Sequence, residues 1–436
     1  MKSKKVDILG VKIDPVTKED TTSKASSFLT QKEKVVIYTP NPEICLKAAR
    51  NFEYKEVLNK ADISIPDGVG LQWAASYLER GFALKKSKYL NILLAGLSLG
   101  ASVIKFVIWP KYKTLVLPER VTGVDTFLKF TEMCEQKDCS IYLLGAKPGV
   151  ARRVADNLQK KYPKLRISGS YSGSPNPEDD KKLRYIINDS GAKILFVAYG
   201  APKQEFWIDR NLPYLKNVKL VMGVGGTFDF ISGKAKRAPK KYHSKLEWFW
   251  RLRKEPWRKK RIYNAVIRFP YMVYLDKIYR NRPYRENVLA VILNTKGQFL
   301  LLNNSYITKH EKHADHWQFL QGGKRSYESS KTAVLREAKE EMGSSKLQPI
   351  LELKKAYRYE WPLRDINPAR PFRGQLQSIW FLKYVGDGSD IKIDPKEHSD
   401  YRWVNKDALL KTLHPHRHGS AKIILKTLEK KNIFSS

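Results

Sequence analysis

Residues 322–343 read GGKRSYESSKTAVLREAKEEMG, and Gly322, Glu328, Arg336, Glu337, Glu340, Glu341 and Gly343 stand there at fixed offsets. Positions 337, 340 and 341 are i, i+3 and i+4, so on a helix their carboxylates share one face. Three like charges on one face repel unless a cation lies among them, and hard oxygen donors suit Mg²⁺ or Mn²⁺. Arg336 is placed to hold Glu328 or a neighbouring carboxylate in orientation. Gly322 and Gly343 permit sharp turns at the two ends. The run EAKEE alone would be an ordinary charged surface helix; the seven spaced positions together set this segment apart.

Those positions match G-x5-E-x7-R-E-U-x-E-E-x-G-U, with Ala338 at the first apolar site and Ser344 replacing a bulky apolar residue at the last. The segment thereby resembles the Nudix signature. The Ser344 departure predicts weaker packing after the loop. The resemblance extends over about 284–428: Tyr284-Arg-Glu-Asn-Val288, Trp317-Gln-Phe-Leu-Gln-Gly-Gly323, Gly374-Gln-Leu-Gln377, Trp380-Phe-Leu382 and Arg402-Trp-Val404 are similar to bacterial RNA pyrophosphohydrolase and its dinucleoside-polyphosphate-cleaving relatives. It implies an α/β/α sandwich in which Glu337, Glu340 and Glu341 bind Mg²⁺ or Mn²⁺. Glu397, a few residues before the Arg-Trp pair, stands where the family has a further glutamate for metal binding or catalysis. One of the helix glutamates or Glu397 would act as base on water, with Glu341 and Glu397 the catalytic candidates, and the substrate would be a nucleotide or RNA 5′-end diphosphate. Leu320 stands where those relatives carry proline, which loosens the link to RNA ends.

Going upstream, strand patterns at 288–293 and 299–302 open this domain, preceded by a linker, Tyr279-Arg-Asn-Arg-Pro-Tyr284, where the domain seam is expected. Before the linker, 237–268 hold twelve Lys or Arg against Glu247 and Glu255, interleaved with Trp248, Phe249, Trp250 and Trp257. That composition predicts a basic aromatic helical appendage, either a solvated face or a surface for anions or membrane. The expected division is 1–235, an appendage and linker at 236–280, and 284–436.

From residue 6 to about 222, short β-branched runs alternate with amphipathic stretches, the pattern of a parallel sheet wrapped by helices. Strands are predicted at 35–38, 63–65, 141–144, 194–198 and 220–224, and helices at 148–162 and 177–188. Most of these strands run into small or polar residues, and open parallel sheets bind ligands beyond the carboxyl ends of their strands. The candidate segments, in order, are Thr39-Pro-Asn-Pro-Glu43, Pro66-Asp-Gly-Val-Gly70, Arg120-Val-Thr-Gly-Val-Asp125, Tyr142-Leu-Leu-Gly145, Gly200-Ala-Pro-Lys-Gln-Glu205 and Gly223-Val-Gly-Gly-Thr-Phe-Asp229.

With Arg237-Ala-Pro239, Leu246-Glu-Trp248, Arg251-Leu252 and Glu255-Pro256 after them, these loops resemble the WecG/TagA/CpsF glycosyltransferase family over about 5–265. The resemblance implies a Rossmann-like α/β domain that moves an N-acetylhexosamine-type sugar from a UDP-sugar to a polyprenyl-diphosphate-linked acceptor, with inversion. It implies no metal cofactor there, in agreement with the lack of an Asp-x-Asp motif before residue 260. Asp67 would be the general base on the acceptor hydroxyl, Thr39, Asn41 and Gln204 would line the sugar site, and Arg120 would assist. Arg251, Arg258 and Arg261 would grip the diphosphate, a task suited to guanidinium forks.

An apolar insertion at about 84–116 departs from the family pattern. Within it, 89–109 carry only Lys105 as a charge and are flanked by Lys85, Lys86, Lys88, Lys111 and Lys113. A single span would put two halves of one active site in different compartments. The segment therefore either lies in the membrane interface with its lysines at the headgroups or is a buried core helix.

The whole chain has 436 residues with 42% apolar and 11% aromatic content, enough for two or three folded domains. A formal charge of +37 points to phosphate-bearing partners. Cys45, Cys134 and Cys139 form no even-numbered framework, and no apolar signal run opens the chain, which suits a cytoplasmic protein at the inner membrane face. A homo-oligomer is compatible with all of this. The leading expectation is a bifunctional enzyme of cell-envelope polysaccharide synthesis. The alternative is an RNA- or nucleotide-processing pyrophosphohydrolase whose N-terminal domain only binds membrane or nucleic acid.

Overall fold

The structure is a computed structural model that describes residues 5–28, 33–79, 88–108, 116–235, 259–280, 282–304, 316–361 and 371–431. The chain divides into two compact units, Met1–Ile278 and Tyr279–Ser436.

In the first unit, β1 (Val6–Ile8) and β2 (Val11–Ile13) form a small hairpin. The main sheet has six strands: β3 (Val35–Tyr38), β4 (Ile63–Ser64), β5 (Ile141–Gly145), β6 (Ile167–Tyr171), β7 (Ile194–Ala198) and β8 (Leu220–Gly223). They pair in parallel in the order β4-β3-β8-β7-β5-β6. Every residue of β5, β7 and β8 is buried, which is why these runs are apolar without alternation: helices cover both faces of the sheet. Val150, Ala151, Val154 and Leu158 form the buried stripe of helix Val150–Lys161 and join the core of β3, β5 and β7. Strand β6 was not expected, because ISGSY is polar and only half-buried at the sheet edge. Its Gly169 is required, since a Cβ there would lie 2.5 Å from the Tyr142 ring.

The apolar insertion forms helix Lys88–Ile108. It packs through Ala95 and Ser102 onto helix Val69–Glu79, where Tyr77 OH donates to the Ala95 carbonyl at 2.9 Å and Trp73 Nε1 donates to Ser102 at 3.2 Å. Leu93, Leu97 and Ile104 are each more than half exposed, so the reading as a buried core helix is overturned. Among the described residues no helix is long and apolar enough to cross a membrane.

The second unit is built on a mixed seven-stranded sheet. Its strands are β9 (Arg285–Leu293), β10 (Phe299–Asn304), β11 (Trp317–Gln318), β12 (Leu320–Gly323), β13 (Leu347–Glu360), β14 (Gly374–Tyr384) and β15 (His398–Val404). The order is β11-β10-β9-β14-β13, with β12 on β9 and β15 on β10; only β9 and β14 run parallel. Successive residues of β9 feed opposite cores. Val288, Ala290 and Ile292 pack with Ala333, Val334, Ala338 and Met342 of helix Ser330–Met342. Leu289, Val291 and Leu293 pack with Leu409 of helix Lys406–Thr412 and with Ala421 and Ile424 of helix His418–Lys431. This is the expected α/β/α sandwich.

Candidate active sites

In the second unit the signature segment runs from β12 into helix Ser330–Met342. Ser329 caps the helix by accepting the Thr332 N–H at 3.1 Å, and Gly343 closes it in the left-handed region at φ +73°. Gly322 has a different role from the expected turn. It lies within β12, and a Cβ there would sit 1.9 Å from Cδ of Glu337. Only glycine lets the Glu337 carboxylate lie against the strand.

Arg336 organises the acidic groups. Its Nε and Nη2 donate to the two oxygens of Glu328 at 3.1 and 2.8 Å, and Nη1 donates to Glu337 at 2.9 Å and Glu340 at 2.8 Å. These hydrogen bonds hold the Glu328 carboxyl down at about 2. Glu340 is half exposed and also faces Arg325 at 3.8 Å. Glu341 points the other way, into the domain, where His398 Nε2 lies 2.9 Å from its Oε2. Burial raises Glu341 to about 7, helped by Glu397 and Glu337 and opposed by His398. Burial also raises Glu337, against the pull of Arg336.

The tight donor group among the described residues is Glu341, Glu397 and His398, whose ligand atoms all lie within 4.8 Å of one another. Glu337 adjoins it through its repulsion with Glu341 and Glu397, whereas Glu340 is engaged by arginine. Carboxylates and an imidazole held this close, with Glu337 and Glu341 raised by burial and mutual repulsion, fit a divalent cation in donor type and charge. His398 escaped the sequence reading, since its one local signal was adjacency to Glu397. Ser344 brings a second correction. It is buried, donates its hydroxyl to Asp390 and accepts the Lys346 N–H at 3.1 Å, so a hydrogen bond replaces the expected slack packing.

In the first unit, candidate residues gather at the carboxyl ends of the strands. Thr39 follows β3 and Asp67 follows β4, and the Asp67 N–H donates to the Pro40 carbonyl at 2.9 Å, pinning the two loops together. Gly123 opens helix Gly123–Gln136, capped by Thr122, and a Cβ on it would lie 3.5 Å from Thr39 and 3.7 Å from Asp67 Oδ2. The three loops that sequence reading selected separately therefore meet at one point. Arg120 stands three residues before Gly123 and is partly buried.

Other candidates serve the scaffold. Asn41 caps helix Pro42–Ala48 by accepting the Ile44 N–H at 3.0 Å. Gln204 is buried, and its carbonyl oxygen accepts the N–H groups of Gly200 at 3.2 Å and Gly225 at 3.0 Å, clamping the loops after β7 and β8. Its amide donates to Glu205 at 2.6 Å, a buried carboxyl that sequence reading missed and that burial raises above its ordinary range. Arg261 donates to Glu43 at 2.7 Å. Arg251 and Arg258 lie outside the described residues. A cleft of about 260 Å³ opens beyond β5, β7 and β8, lined by residues including Ala146, Lys147, Tyr199, Gly225, Asp229 and Lys234.

The model of the glycosyl transferase WecG/TagA/CpsF family matches residues 6–99 and 100–283. The chain belongs to this family. It is 30% identical over 236 residues to an N-acetylglucosaminyldiphosphoundecaprenol N-acetyl-beta-D-mannosaminyltransferase of Bacillus subtilis (strain 168), covering 54% of this chain and 77% of that one. The enzyme of the same description from Bacillus spizizenii is 29% identical over 239 residues, with the same coverage. The NUDIX domain model matches residues 283–426. A MutT protein of Methanosarcina mazei Go1 aligns with 35% of this WecG/TagA/CpsF chain and 99% of its own at 27% identity and a TM-score of 0.26, too low to carry more. The chain thus joins a glycosyltransferase domain to a Nudix hydrolase domain.

Proposed function

We propose that the first unit transfers an N-acetylhexosamine-type sugar from a UDP-sugar to a polyprenyl-diphosphate-linked acceptor in cell-envelope polysaccharide synthesis. The supporting observation is the junction of Thr39, Asp67 and Gly123 at the strand ends. The Bacillus relatives, by their descriptions, act on a diphosphoundecaprenol-linked N-acetylglucosamine. Asp67 takes the proton from the acceptor hydroxyl as that oxygen bonds to the anomeric carbon, and UDP leaves with the electrons of the broken bond. Gln204 acts by holding the Gly200 and Gly225 loops at the rim, while Thr39 and Asn41 line the sugar site and Arg120 assists. Arg251, Arg258 and Arg261 grip the diphosphate, so Arg261 exchanges Glu43 for phosphate oxygen when donor is present.

The second unit hydrolyses a diphosphate linkage in a nucleotide-type substrate, with Mg²⁺ or Mn²⁺ held by Glu341 and Glu397, Glu337 adjoining and Glu340 recruited from Arg336. A bound cation supplies a lowered water pKa and neutralises charge on the phosphate oxygens. Glu341 or Glu397 accepts the proton of the attacking water, while Arg336 keeps Glu328 and Glu337 in place. Candidate substrates are a UDP-sugar, a dinucleoside polyphosphate or a 5′-triphosphate RNA.

The exposed face of helix Lys88–Ile108 rests on the cytoplasmic face of the membrane, near the lipid-linked acceptor. Its support is the uncharged stripe Leu93, Leu97 and Ile104, ending at exposed Lys105, on a strongly basic chain.

Purified full-length chain incubated with UDP-N-acetylhexosamines and a lipid-diphosphate-linked acceptor is expected to yield extended lipid and UDP. A parallel screen of the three nucleotide classes with Mg²⁺ or Mn²⁺ is expected to release UMP, another nucleotide or phosphate from one class. Absence of turnover in either assay, with the chain folded, would sink the corresponding half.

A further inference from the structure

Among the carboxylates of the second unit stands one nitrogen donor whose placement is fixed by the fold. His398 opens β15, opposite Asn304 and just past the register shift between Asn303 and Asn304, and such a shift re-aims side chains. The loop before it is tied to the end of helix Ser330–Met342. The Asp394 N–H donates to the Glu341 carbonyl at 3.0 Å and the Lys392 N–H to the Met342 carbonyl at 2.9 Å. The Asp394 carbonyl then accepts the backbone N–H groups of Glu397 at 3.1 Å and His398 at 2.8 Å. Backbone hydrogen bonds therefore hold Glu397 and His398 against Glu341 without help from the side chains.

The imidazole is buried, with 2% of its side chain exposed against 6% for Glu341. Its Nε2 faces the Glu341 carboxylate at 2.9 Å, and its Nδ1, equally buried, has no hydrogen-bond partner among the described residues. Among the described residues the polar contact of the ring is the one to Glu341, inside the donor group of Glu341, Glu397 and His398. Arg336 meanwhile engages Glu328, Glu337 and Glu340, so a cation in the Glu341, Glu397 and His398 group would have to recruit Glu340 from it.

We propose that His398 Nε2 is a direct ligand of the divalent cation held by Glu341 and Glu397, making a mixed nitrogen and oxygen centre that ranks Mn²⁺ and Co²⁺ above Mg²⁺. The proposal rests on the cation-dependent reading of this domain. Imidazole nitrogen is a better donor to later transition metals than to Mg²⁺, which prefers oxygen and retains its water. To bind the cation, Nε2 would present its lone pair to it, in the place where it now faces the Glu341 carboxylate.

The test is pulsed electron paramagnetic resonance on the full-length protein with stoichiometric Mn²⁺, beside calorimetric titration. Wild type is expected to show nitrogen modulation from a directly bound imidazole, which disappears in Glu341→Gln, where the tight site is lost. His398→Gln is expected to bind Mn²⁺ about 10- to 100-fold more weakly, without the modulation and with a smaller preference for Mn²⁺ over Mg²⁺. Should that variant fail to fold, ¹⁵N-histidine labelling of wild type decides the point by changing the modulation. Tight Mn²⁺ uptake without nitrogen modulation overturns the proposal and leaves the carboxylate reading standing. Absence of any Mn²⁺ uptake overturns both.

Discussion

Oε2 of Glu341 and Nε2 of His398 lie 2.9 Å apart in the interior of the second unit, one on the last turn of a helix and the other on the first residue of a strand 57 positions later. The carboxyl group that the sequence places on an exposed-looking acidic helix is in fact buried and matched. Its neighbour Glu340, one residue earlier, is half exposed and bound to arginine. Adjacent glutamates of one motif therefore occupy different electrostatic environments, and their replacement should have different consequences.

Glu341→Gln is expected to lower hydrolysis by about 10²-fold or more, whether Glu341 acts as base or ligand, since general-base catalysis alone contributes ~10²–10⁴-fold. Sugar transfer by the same preparation should be unchanged. Steady-state assays of both reactions on one protein sample measure the contrast, and equal loss of both would indicate misfolding instead.

The pH dependence of stability has a defined sign in metal-free protein. Glu341 moves from an ordinary 4.5 to about 7 on folding, so between those values the folded chain holds a proton that the unfolded chain has released. This contribution is complete below about 4.5 and is lost as pH rises through 7. The stability of Glu341→Gln relative to wild type should therefore increase from pH 5 to pH 8, by at most about 3 kcal/mol, a tenfold change in proton affinity being worth ~1.4 kcal/mol. Chemical denaturation of both proteins in chelator at several pH values reads it. A difference that is flat, or that shrinks with pH, contradicts the burial argument.

Arg336→Lys keeps the charge and removes the fork that grips Glu328 while reaching Glu337 and Glu340. A lysine ammonium can serve one of these partners well at a time. The expected outcome is a loss of about 1–3 kcal/mol of stability, in the range for leaving buried charge-assisted hydrogen bonds unmade. At least tenfold slower hydrolysis should accompany it. Wild-type kinetics in the lysine variant would show that the fork is dispensable.

For the first unit, Asp67→Asn preserves shape and removes the proton acceptor. Transfer to the lipid acceptor should fall by ~10²–10⁴-fold while Nudix turnover stays at the wild-type level. Radiolabelled donor and thin-layer separation of lipid products would reveal it, and a fall of less than threefold would move the base elsewhere.

Replacing Leu93, Leu97 and Ile104 together with glutamine takes apolar surface from a face that touches little of the protein, so folding should be nearly unaffected. Vesicles containing anionic lipid should bind this variant at least tenfold more weakly in a sedimentation assay, since burying one such side chain is worth about 1.5–3 kcal/mol. Undiminished binding would assign membrane contact to other parts of the chain.

The amino-acid sequence alone determined the local features. The parallel sheet was legible because runs such as ILFVA at 194–198 are apolar throughout, as a strand covered on both faces must be. The Nudix helix was legible because seven residues stand at fixed spacings along one short segment, and the WecG/TagA/CpsF segments because several follow apolar strand-like runs. Strand β6 was not, because its half-buried edge position imposes little apolar pattern. Only the tertiary structure decided which side chains meet. It laid Gly322 against Glu337, brought the loops of Thr39, Asp67 and Gly123 to one point, and set His398 against Glu341. Spacing along a chain fixes which residues share a helix face or strand edge; contacts between distant segments depend on how sheet register and loop closure stack those faces, which no local pattern encodes.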